Sequence, residues 1–334
     1  MKKTQNNIKI KNLEKIAKLL TEAESLVGCS YKYGAYLQKP KDIEKEFDCS
    51  SFAQYLYKRV GVKLPRSTLF QAAEGEEVKG RNFLPGDLLF FRSDRGHYYD
   101  DLFSKKRVCI GHVAVFLADD LIAHAKSSLG GVVLQKLSEL QKDKNYKIVL
   151  AKRYLKISDI GAYKILPFSQ FLDIKEKKWK NKSCGIVSLA MILSFFEKKK
   201  INSNEILKKA LKIEGAYLKN IGWTHKTFEV LAGQFGFFGK AYDFFEKKDS
   251  FVFGKLVEFL KQAPVMVSIH KDFNPKNSGH LVVISGIKNA KVQYYDPNTK
   301  TRKSVKREID IYKFLKGWKR RFVVIEKALF LIKK

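Results

Sequence analysis

The predicted secondary structure runs through the same order twice along the chain. Helices come first and strands follow up to about residue 155, and the same succession starts again near residue 184. Strands that follow one another without helices between them indicate an antiparallel sheet, so each half is predicted to be an α+β unit. At roughly 150 residues per domain, 334 residues suffice for two units with their own cores. We predict domains at residues 1–157 and 163–334, each with N-terminal helices packed on an antiparallel sheet.

Apolar periodicity gives the individual elements. In the first half it predicts helices over 8–27 and 50–60, and strands over 87–91, 108–117, 121–125, 132–137 and 146–155. In the second half it predicts helices over 184–196, 204–211, 227–235 and 251–262, and strands over 265–269, 281–287, 292–295 and 322–332.

The charge is strongly basic, with 65 Lys and Arg against 34 Asp and Glu and a formal net charge of +31. Lysine accounts for 54 of the 65 basic residues, and the lysines are spread from Lys2 to Lys334. Proteins that read nucleic-acid sequence rely on arginine and concentrate their charge, so this distribution argues against a specific nucleic-acid partner. Attraction to an anionic polymer and simple solubility are the two interpretations that remain.

Targeting and metal signals are weak. The N-terminal helix carries charges throughout, so no secretory signal peptide is visible, and the longest uncharged apolar run, Ser183 to Phe196, has 14 residues, too few for a membrane span. We therefore expect a cytoplasmic protein or one exported by a non-classical route. The four cysteines form no Cys-x-x-Cys metal pair. A Cys29–Cys109 disulfide and reduced, buried thiols are both compatible with their spacing.

A first group of chemically suggestive residues is Cys49, His112 and His124. Cys49 stands at the start of a predicted helix, where the helix dipole and free N–H groups favour a thiolate. His112 and His124 each interrupt an apolar strand, and adjacent antiparallel strands would bring the two imidazoles side by side. This group would suit a catalytic site in which Cys49 is the nucleophile, His112 is its base and His124 orients His112. A buried structural cysteine with two hydrogen-bonded histidines is the alternative.

The surrounding motifs favour the catalytic interpretation. Residues 12 to 150 resemble the NlpC-type family of peptidoglycan endopeptidases. The resemblance lies in six segments that occur in the family's order: Ser30-Tyr31-Lys32-Tyr33-Gly34, Phe47-Asp48-Cys49-Ser50-Ser51, Leu64-Pro65-Arg66-Ser67-Thr68 with Gln71, Pro85-Gly86-Asp87-Leu88-Leu89-Phe90-Phe91, Gly111-His112-Val113-Ala114-Val115-Phe116, and His124-Ala125.

The resemblance implies a papain-like fold in which Cys49 is the nucleophile, His112 the general base and His124 the residue that orients it. It also implies that Tyr31, Asp48, Ser50 and Arg66 contact the substrate or hold the site together. The implied substrate is the stem peptide of peptidoglycan, often cut at the γ-D-glutamyl bond to a diamino acid.

One segment departs from the family's pattern. Residues 92 to 107, which include Tyr98-Tyr99-Asp100-Asp101, separate two predicted strands. They would either overhang the cleft or form an ordinary surface excursion.

A second group comprises Cys184, His280, Asp296 and Gln170. Cys184 begins an apolar helix, His280 follows a glycine at a strand start, and Asp296 ends the next strand. Cysteine, histidine and aspartate in this order match a papain-like triad in which the carboxylate holds the imidazole tautomer. A glutamine such as Gln170 would donate to the oxyanion beside the Cys184 backbone N–H.

Residues 160 to 334 resemble the papain-like family that includes the double-glycine leader peptidases of bacteriocin exporters and their stand-alone relatives. The segments Gly222-Trp223-Thr224-His225 and Ala263-Pro264-Val265-Met266-Val267-Ser268 also resemble that family. Gln170 lies 14 residues before Cys184, further than is usual there, so Asn181 is an alternative oxyanion donor. A folded but inactive binding domain is the other interpretation of this half.

Together the two halves predict a bifunctional cysteine peptidase that cleaves peptidoglycan stem peptides with its first domain and an unidentified amide substrate with its second. No metal or cofactor is expected. The basic surface would hold the protein near anionic cell-wall polymers. The alternatives are a wall-binding scaffold with one or both sites inactive, and a cytosolic amidase, acyltransferase, phage lysin or antibacterial effector.

Overall fold

The computed structural model describes residues 2–35, 46–92 and 109–327, with side chains from residue 11 onward. The chain divides into two compact units, Met1–Ile157 and Ser158–Lys334. Within the described residues, no helix is both long enough and apolar enough to cross a membrane.

The N-terminal unit begins with helices and continues mainly with strands. Its helices are α1 (Lys2–Ser25), α2 (Cys49–Arg59), α3 (Thr68–Ala73) and α4 (Leu137–Leu140). Its strands are β1 (Ser30–Tyr31), β2 (Glu46–Phe47), β3 (Glu76–Glu77), β4 (Leu88–Phe91), β5 (His112–Ala118), β6 (Leu121–Lys126), β7 (Gly131–Lys136) and β8 (Ile148–Arg153).

These strands form one sheet in the order β2-β1-β7-β6-β5-β4-β8-β3. All neighbours are antiparallel except β1 and β2, which are parallel. The edge pairing of β1 with β7 requires a glycine, because a Cβ on Gly131 would lie 2.0 Å from the Cys29 carbonyl oxygen. This close approach sets the position of Tyr31, the second residue of β1.

The core of this unit lies between the helices and the sheet. Helix α1 buries a stripe at helical spacing that includes Leu13, Ile16 and Leu20. Helix α2 buries Phe52 and Leu56 and packs against both β5 and β6. The first turn of α2 is thereby placed at the strands that carry the two histidines.

The C-terminal unit contains α5 (Gln170–Asp173), α6 (Lys177–Lys180), α7 (Cys184–Glu197), α8 (Ser203–Ala210), α9 (His225–Gln234), α10 (Asp249–Leu260) and α11 (Ile311–Gly317). Its strands are β9 (Ile160–Gly161), β10 (Tyr217–Leu218), β11 (Gly222–Trp223), β12 (Phe237–Asp243), β13 (Val265–His270), β14 (Gly279–Lys288), β15 (Lys291–Tyr295), β16 (Lys306–Asp310) and β17 (Trp318–Lys327).

The main sheet of this unit runs β12-β17-β13-β14-β15-β16, with β9 added to β14, and β10 and β11 form a separate hairpin. All pairings in the main sheet are antiparallel. Helix α7 is apolar on all sides and is buried against β13 and β14. Its N-terminal cysteine therefore lies beside the strand that begins with Gly279 and His280.

The predicted α+β class is confirmed in both units. The succession of elements in the second half is less simple than expected, because β12 separates α9 from α10 and β16 with α11 precedes β17. The predicted strand over 108–117 begins only at His112. Residues 93–107 of the segment that departs from the family's pattern, and the end of the strand predicted over 322–332, lie outside the described residues.

Candidate active sites

Cys49 is the first residue of α2, and the residue before it caps the helix. The Asp48 carboxylate accepts a hydrogen bond from the Ser51 N–H at 2.7 Å, and the Ser51 hydroxyl accepts one from the Asp48 N–H at 2.9 Å. This reciprocal cap fixes the start of the helix at Cys49. The thiol is 9% exposed and lies 3.8 Å from the Thr68 hydroxyl.

The Asp48 carboxylate is also held by residues outside the helix. Arg66 donates to both of its oxygens, and the Gly34 N–H donates to one of them at 3.1 Å. Arg66 also donates to the Ser50 hydroxyl at 2.7 Å. These hydrogen bonds form a network of Asp48, Ser50 and Arg66 that stabilises the first turn of α2. All three residues also line the cleft.

His112 and His124 lie on neighbouring antiparallel strands and their imidazoles meet. The His112 Nε2 is 2.7 Å from the His124 Nδ1, and the His124 Nε2 is 3.0 Å from the Gln135 Oε1. Because an amide oxygen only accepts, the His124 Nε2 carries the proton and its Nδ1 accepts from His112. The Nδ1 of a neutral His112 is then the atom with an unused lone pair.

The pKa values of this group favour neutral side chains. Burial and the Asp48 carboxylate raise the pKa of the Cys49 thiol, although hydrogen bonds from Thr68 and the backbone N–H groups of Val113 and Ser50 act in the opposite direction. Burial, followed by the positive charge of Lys126, lowers the pKa of His124 to about 4. Burial, His124 and Lys126 together hold the pKa of His112 well below its ordinary value.

A cleft of about 540 Å³ opens over this group. Cys49 and His112 lie in its wall together with all four residues that were predicted to contact substrate, Tyr31, Asp48, Ser50 and Arg66. The cleft is also lined by Tyr146 and Lys126, which sequence reasoning missed. A cysteine, a histidine and a bounded cavity therefore occur together in the N-terminal unit.

The C-terminal unit brings Cys184, His280 and Asp296 together. The His280 Nε2 is 2.7 Å from the Asp296 Oδ1, and the His280 ring is near enough to the Cys184 thiol to lower its pKa. The Asp296 carboxylate also accepts from the Asn298 N–H at 2.8 Å and lies 3.4 Å from the Arg307 guanidinium. Three elements, α7, β14 and the end of β15, supply this triad.

The charge state of the second group is opposite to that of the first. Burial disfavours the charged form of His280, but its interactions with the Asp296 carboxylate, which accepts from the ring, and with Cys184 raise the pKa of His280 to about 10. The same contacts outweigh burial and lower the pKa of Cys184 and of Asp296. A carboxylate behind the imidazole thus favours a thiolate and imidazolium pair, as in papain-like triads.

The structure gives Gln170 a partner other than the cysteine. Its backbone N–H donates to the Pro297 carbonyl at 2.9 Å, and its side-chain amide donates to the Asn298 Oδ1 at 3.2 Å. Gln170 therefore supports the loop that carries Asp296. Asn181, the alternative donor, is exposed at the end of α6. The oxyanion role stays a prediction for both residues.

In both groups a cysteine begins a helix and lies beside a histidine on a strand. One ring nitrogen of that histidine contacts a further polar side chain, His124 in the first group and Asp296 in the second. This arrangement is that of the papain-like cysteine peptidases. Residues 28–151 match the model of the NlpC/P60 family, and residues 164–322 match that of the Peptidase_C39 like family. Both are families of cysteine peptidases.

Curated relatives cover the N-terminal half. The probable endopeptidase NlpC of Escherichia coli is 30% identical over 132 residues, which are 39% of this chain and 74% of that protein. The gamma-DL-glutamyl hydrolase of Bacillus subtilis is 31% identical over 115 residues, or 34% of this chain and 24% of that protein. The gamma-D-glutamyl-L-lysine dipeptidyl-peptidase of Bacillus cereus is 32% identical over 79 residues, which are 24% of this chain and 21% of that protein.

The chain belongs to the NlpC/P60 family through its N-terminal half, and its C-terminal half carries a Peptidase_C39-like domain. The matches span only about a quarter or less of the length of the two Bacillus proteins.

Proposed function

We propose that the N-terminal unit, residues 1–157, hydrolyses amide bonds in peptidoglycan stem peptides, at the bond between γ-D-glutamate and a diamino acid. Cys49 is the nucleophile, His112 the general base and His124 the residue that positions His112. The observation that carries the proposal is the chain of hydrogen bonds from Gln135 through His124, which leaves the His112 Nδ1 able to accept the thiol proton.

The reaction follows from these positions. His112 takes the thiol proton as the Cys49 sulfur attacks the carbonyl carbon, and the N-terminal N–H groups of α2 stabilise the oxyanion. His112 then gives the proton to the leaving amine as the C–N bond breaks, which leaves a thioester on Cys49. Water, deprotonated by His112, attacks the thioester, and the proton returns to the sulfur as the acid product leaves.

The substrate class is supported by the relatives and by the cleft. Two of the relatives are named for hydrolysis of glutamyl bonds. The cleft is lined by the guanidinium of Arg66 and the hydroxyls of Ser50 and Tyr31, which can bind the carboxylate and amide groups of such a peptide. Tyr31, Asp48, Ser50 and Arg66 are accordingly proposed as substrate-binding or site-bracing residues.

For residues 163–334 we propose a second peptidase site, with Cys184 as nucleophile, His280 as base and Asp296 as its positioning carboxylate. The hydrogen bond between the imidazole and the carboxylate, and the lowered pKa of the thiol beside the imidazole, support this proposal. The proposed substrate of this site is an amide bond. Neither site is proposed to use a metal or cofactor, so chelation with EDTA should leave both activities unchanged.

Digestion of purified muropeptides tests the substrate class. Mass spectrometry of the products should show new fragments that end in γ-D-glutamate and others that begin with the diamino acid. Cuts confined to other bonds would refute the proposed bond, and an unchanged muropeptide profile would refute the proposed substrate class.

A further inference from the structure

The cleft of the N-terminal unit has a lysine on the same wall as its histidines. Lys126 is the last residue of β6 and follows His124 by two positions, so the two side chains leave the same face of the strand. Lys126 lines the cleft together with Cys49 and His112. A cation therefore stands beside the proposed catalytic group, although no step of the mechanism above uses it.

An aromatic ring holds this cation close to the histidine. The Lys126 Nζ lies 4.2 Å from the centre of the Tyr146 ring, and that ring lies 5.4 Å from the centre of the His112 ring in an edge-on arrangement. These two distances place the ammonium within about 10 Å of the imidazole, a separation that no more than about three residues of extended peptide span at roughly 3.5 Å per residue.

The two cations of the cleft differ in their partners. Arg66 is already ion-paired with the Asp48 carboxylate. For Lys126, by contrast, no carboxylate within the described ranges lies at ion-pair distance from the ammonium, and its contact is the face of Tyr146. A ring face attracts a cation but does not cancel its charge. The histidine wall of the cleft therefore carries a positive charge available to an anionic ligand.

The proposed mechanism fixes which part of the substrate meets this wall. His112 must protonate the departing amine, so the leaving portion of the substrate lies against the histidines while the acyl portion lies towards Cys49 and Arg66. We propose that Lys126 binds a carboxylate of the leaving portion and so determines specificity for peptides that are anionic on that side of the scissile bond. This inference rests on the function proposed above.

The electrostatics of the site agree with this role. Lys126 lowers the pKa of both His112 and His124, so its charge opposes formation of the imidazolium on which acyl transfer depends. A carboxylate bound to Lys126 would offset that charge. Binding of an anionic substrate would thus increase the basicity of His112 and His124.

A purely structural role for Lys126 gives a different expectation. If the side chain only packs on Tyr146, its replacement alters the stability of the cleft wall but does not change which peptides bind. Discrimination between two substrates that differ by a single charge separates the two roles.

Binding of two matched peptides tests the inference. L-alanyl-γ-D-glutamyl-L-lysine is compared with the same peptide carrying a C-terminal carboxamide, both titrated into the Cys49→Ala protein by calorimetry. We expect the free acid to bind about tenfold more tightly than the amide, as for a charge-assisted contact in a partly buried site. In the Lys126→Gln background the ratio should fall to about one, and in Lys126→Arg it should persist.

The control is Lys136→Gln, which removes the same charge from an exposed position at the end of β7 and should keep the tenfold ratio. Thermal unfolding of each variant checks that the fold is retained. Equal affinity for the two peptides, or a ratio that Lys126→Gln does not change, would overturn the inference while leaving the proposed function intact. Failure of both peptides to bind would overturn the proposed function as well.

Discussion

The two cysteines have the same place in their units but opposite surroundings. Asp296 stands behind His280, the imidazole beside Cys184, whereas a neutral second imidazole, His124, stands behind His112, which lines the same cleft as Cys49. A carboxylate stabilises the imidazolium, and the imidazolium in turn stabilises a thiolate. The first site is therefore expected to react from the thiol and imidazole form and the second from the ion pair.

Alkylation of the two thiols should consequently differ in its pH dependence. The pKa of Cys184 is lowered and that of Cys49 is raised, so at pH 6 Cys184 should react with iodoacetamide at least about tenfold faster. Site-resolved mass spectrometry after timed quenching measures both rates. His280→Asn should remove the advantage of Cys184, and identical pH profiles for the two wild-type thiols would contradict the assigned charge states.

Gln135 determines which nitrogen of each histidine carries the proton, so it is a positioning residue. Gln135→Leu removes the acceptor for His124 and should reduce kcat/KM for stem-peptide cleavage about tenfold or more. Gln135→Glu keeps the acceptor and adds a negative charge, which raises the pKa of the paired imidazoles. The acidic limb of its kcat/KM profile should therefore move to higher pH. A Glu variant with an unshifted limb would argue that Gln135 only fills space.

At the scale of elements, β5 and β6 keep two buried imidazoles neutral, and acid should destabilise this strand pair. The pKa of His124 is 6.5 in an unfolded chain and about 4 in the folded unit. Between these values the unfolded chain binds a proton that the folded strands do not, so stability falls as the pH falls through this window.

The expected loss for His124 between pH 7 and pH 5 is about 2 kcal/mol. Pulse proteolysis of the full chain in urea, with fragments assigned to each unit by mass spectrometry, measures it. The control is His124→Gln, which cannot titrate and should lose less stability over the same range. An equal acid-induced loss in this variant would show that other groups cause the effect.

The sequence predicted the elements that carry the chemistry better than those at the edges of the sheets. Helix α7 and strands β5, β6, β13 and β14 follow from apolar runs, and helix α2 follows from apolar periodicity. Strand β12 is interrupted by Gly239 and Lys240 and is at least partly exposed at six of its seven positions, and β16 is exposed at the edge of its sheet, so neither has a continuous apolar signal. Helix α3 has six residues, which are too few to display a helical repeat of apolar residues.

The candidate sites were predictable in part. The cysteines and histidines of both sites were found from their local sequence, because each cysteine begins a predicted helix and each histidine lies in a predicted strand or at its start. Asp296 was found because it follows a predicted strand. Gln135 reaches His124 only through the register of β6 with β7, and Lys126 is known to line the cleft only once the fold around the cleft is known, so the sequence did not reveal either contact. Gln170 shows the converse, because its spacing to Cys184 does not reveal that its amide is bound to Asn298.

At the scale of the whole molecule, the net charge of +31 is dispersed and dominated by lysine. We expect it to hold the protein near anionic cell-wall polymers through long-range attraction. Raising NaCl from 50 to 500 mM shortens the screening length from roughly 14 to 4 Å, so binding of a Cys49→Ala, Cys184→Ala protein to isolated walls should fall severalfold. Walls stripped of phosphate polymers serve as the control. Binding that does not respond to salt would contradict this role for the charge.

The central claim is that the N-terminal unit hydrolyses the γ-D-glutamyl bond of a stem peptide with Cys49. The most direct test is kcat/KM for L-alanyl-γ-D-glutamyl-L-lysine with wild type, Cys49→Ala and, as a matched control, Cys29→Ala. We expect a loss of about a thousandfold or more for Cys49→Ala and a value within about twofold of wild type for Cys29→Ala. Cleavage by Cys49→Ala at the wild-type rate would contradict it.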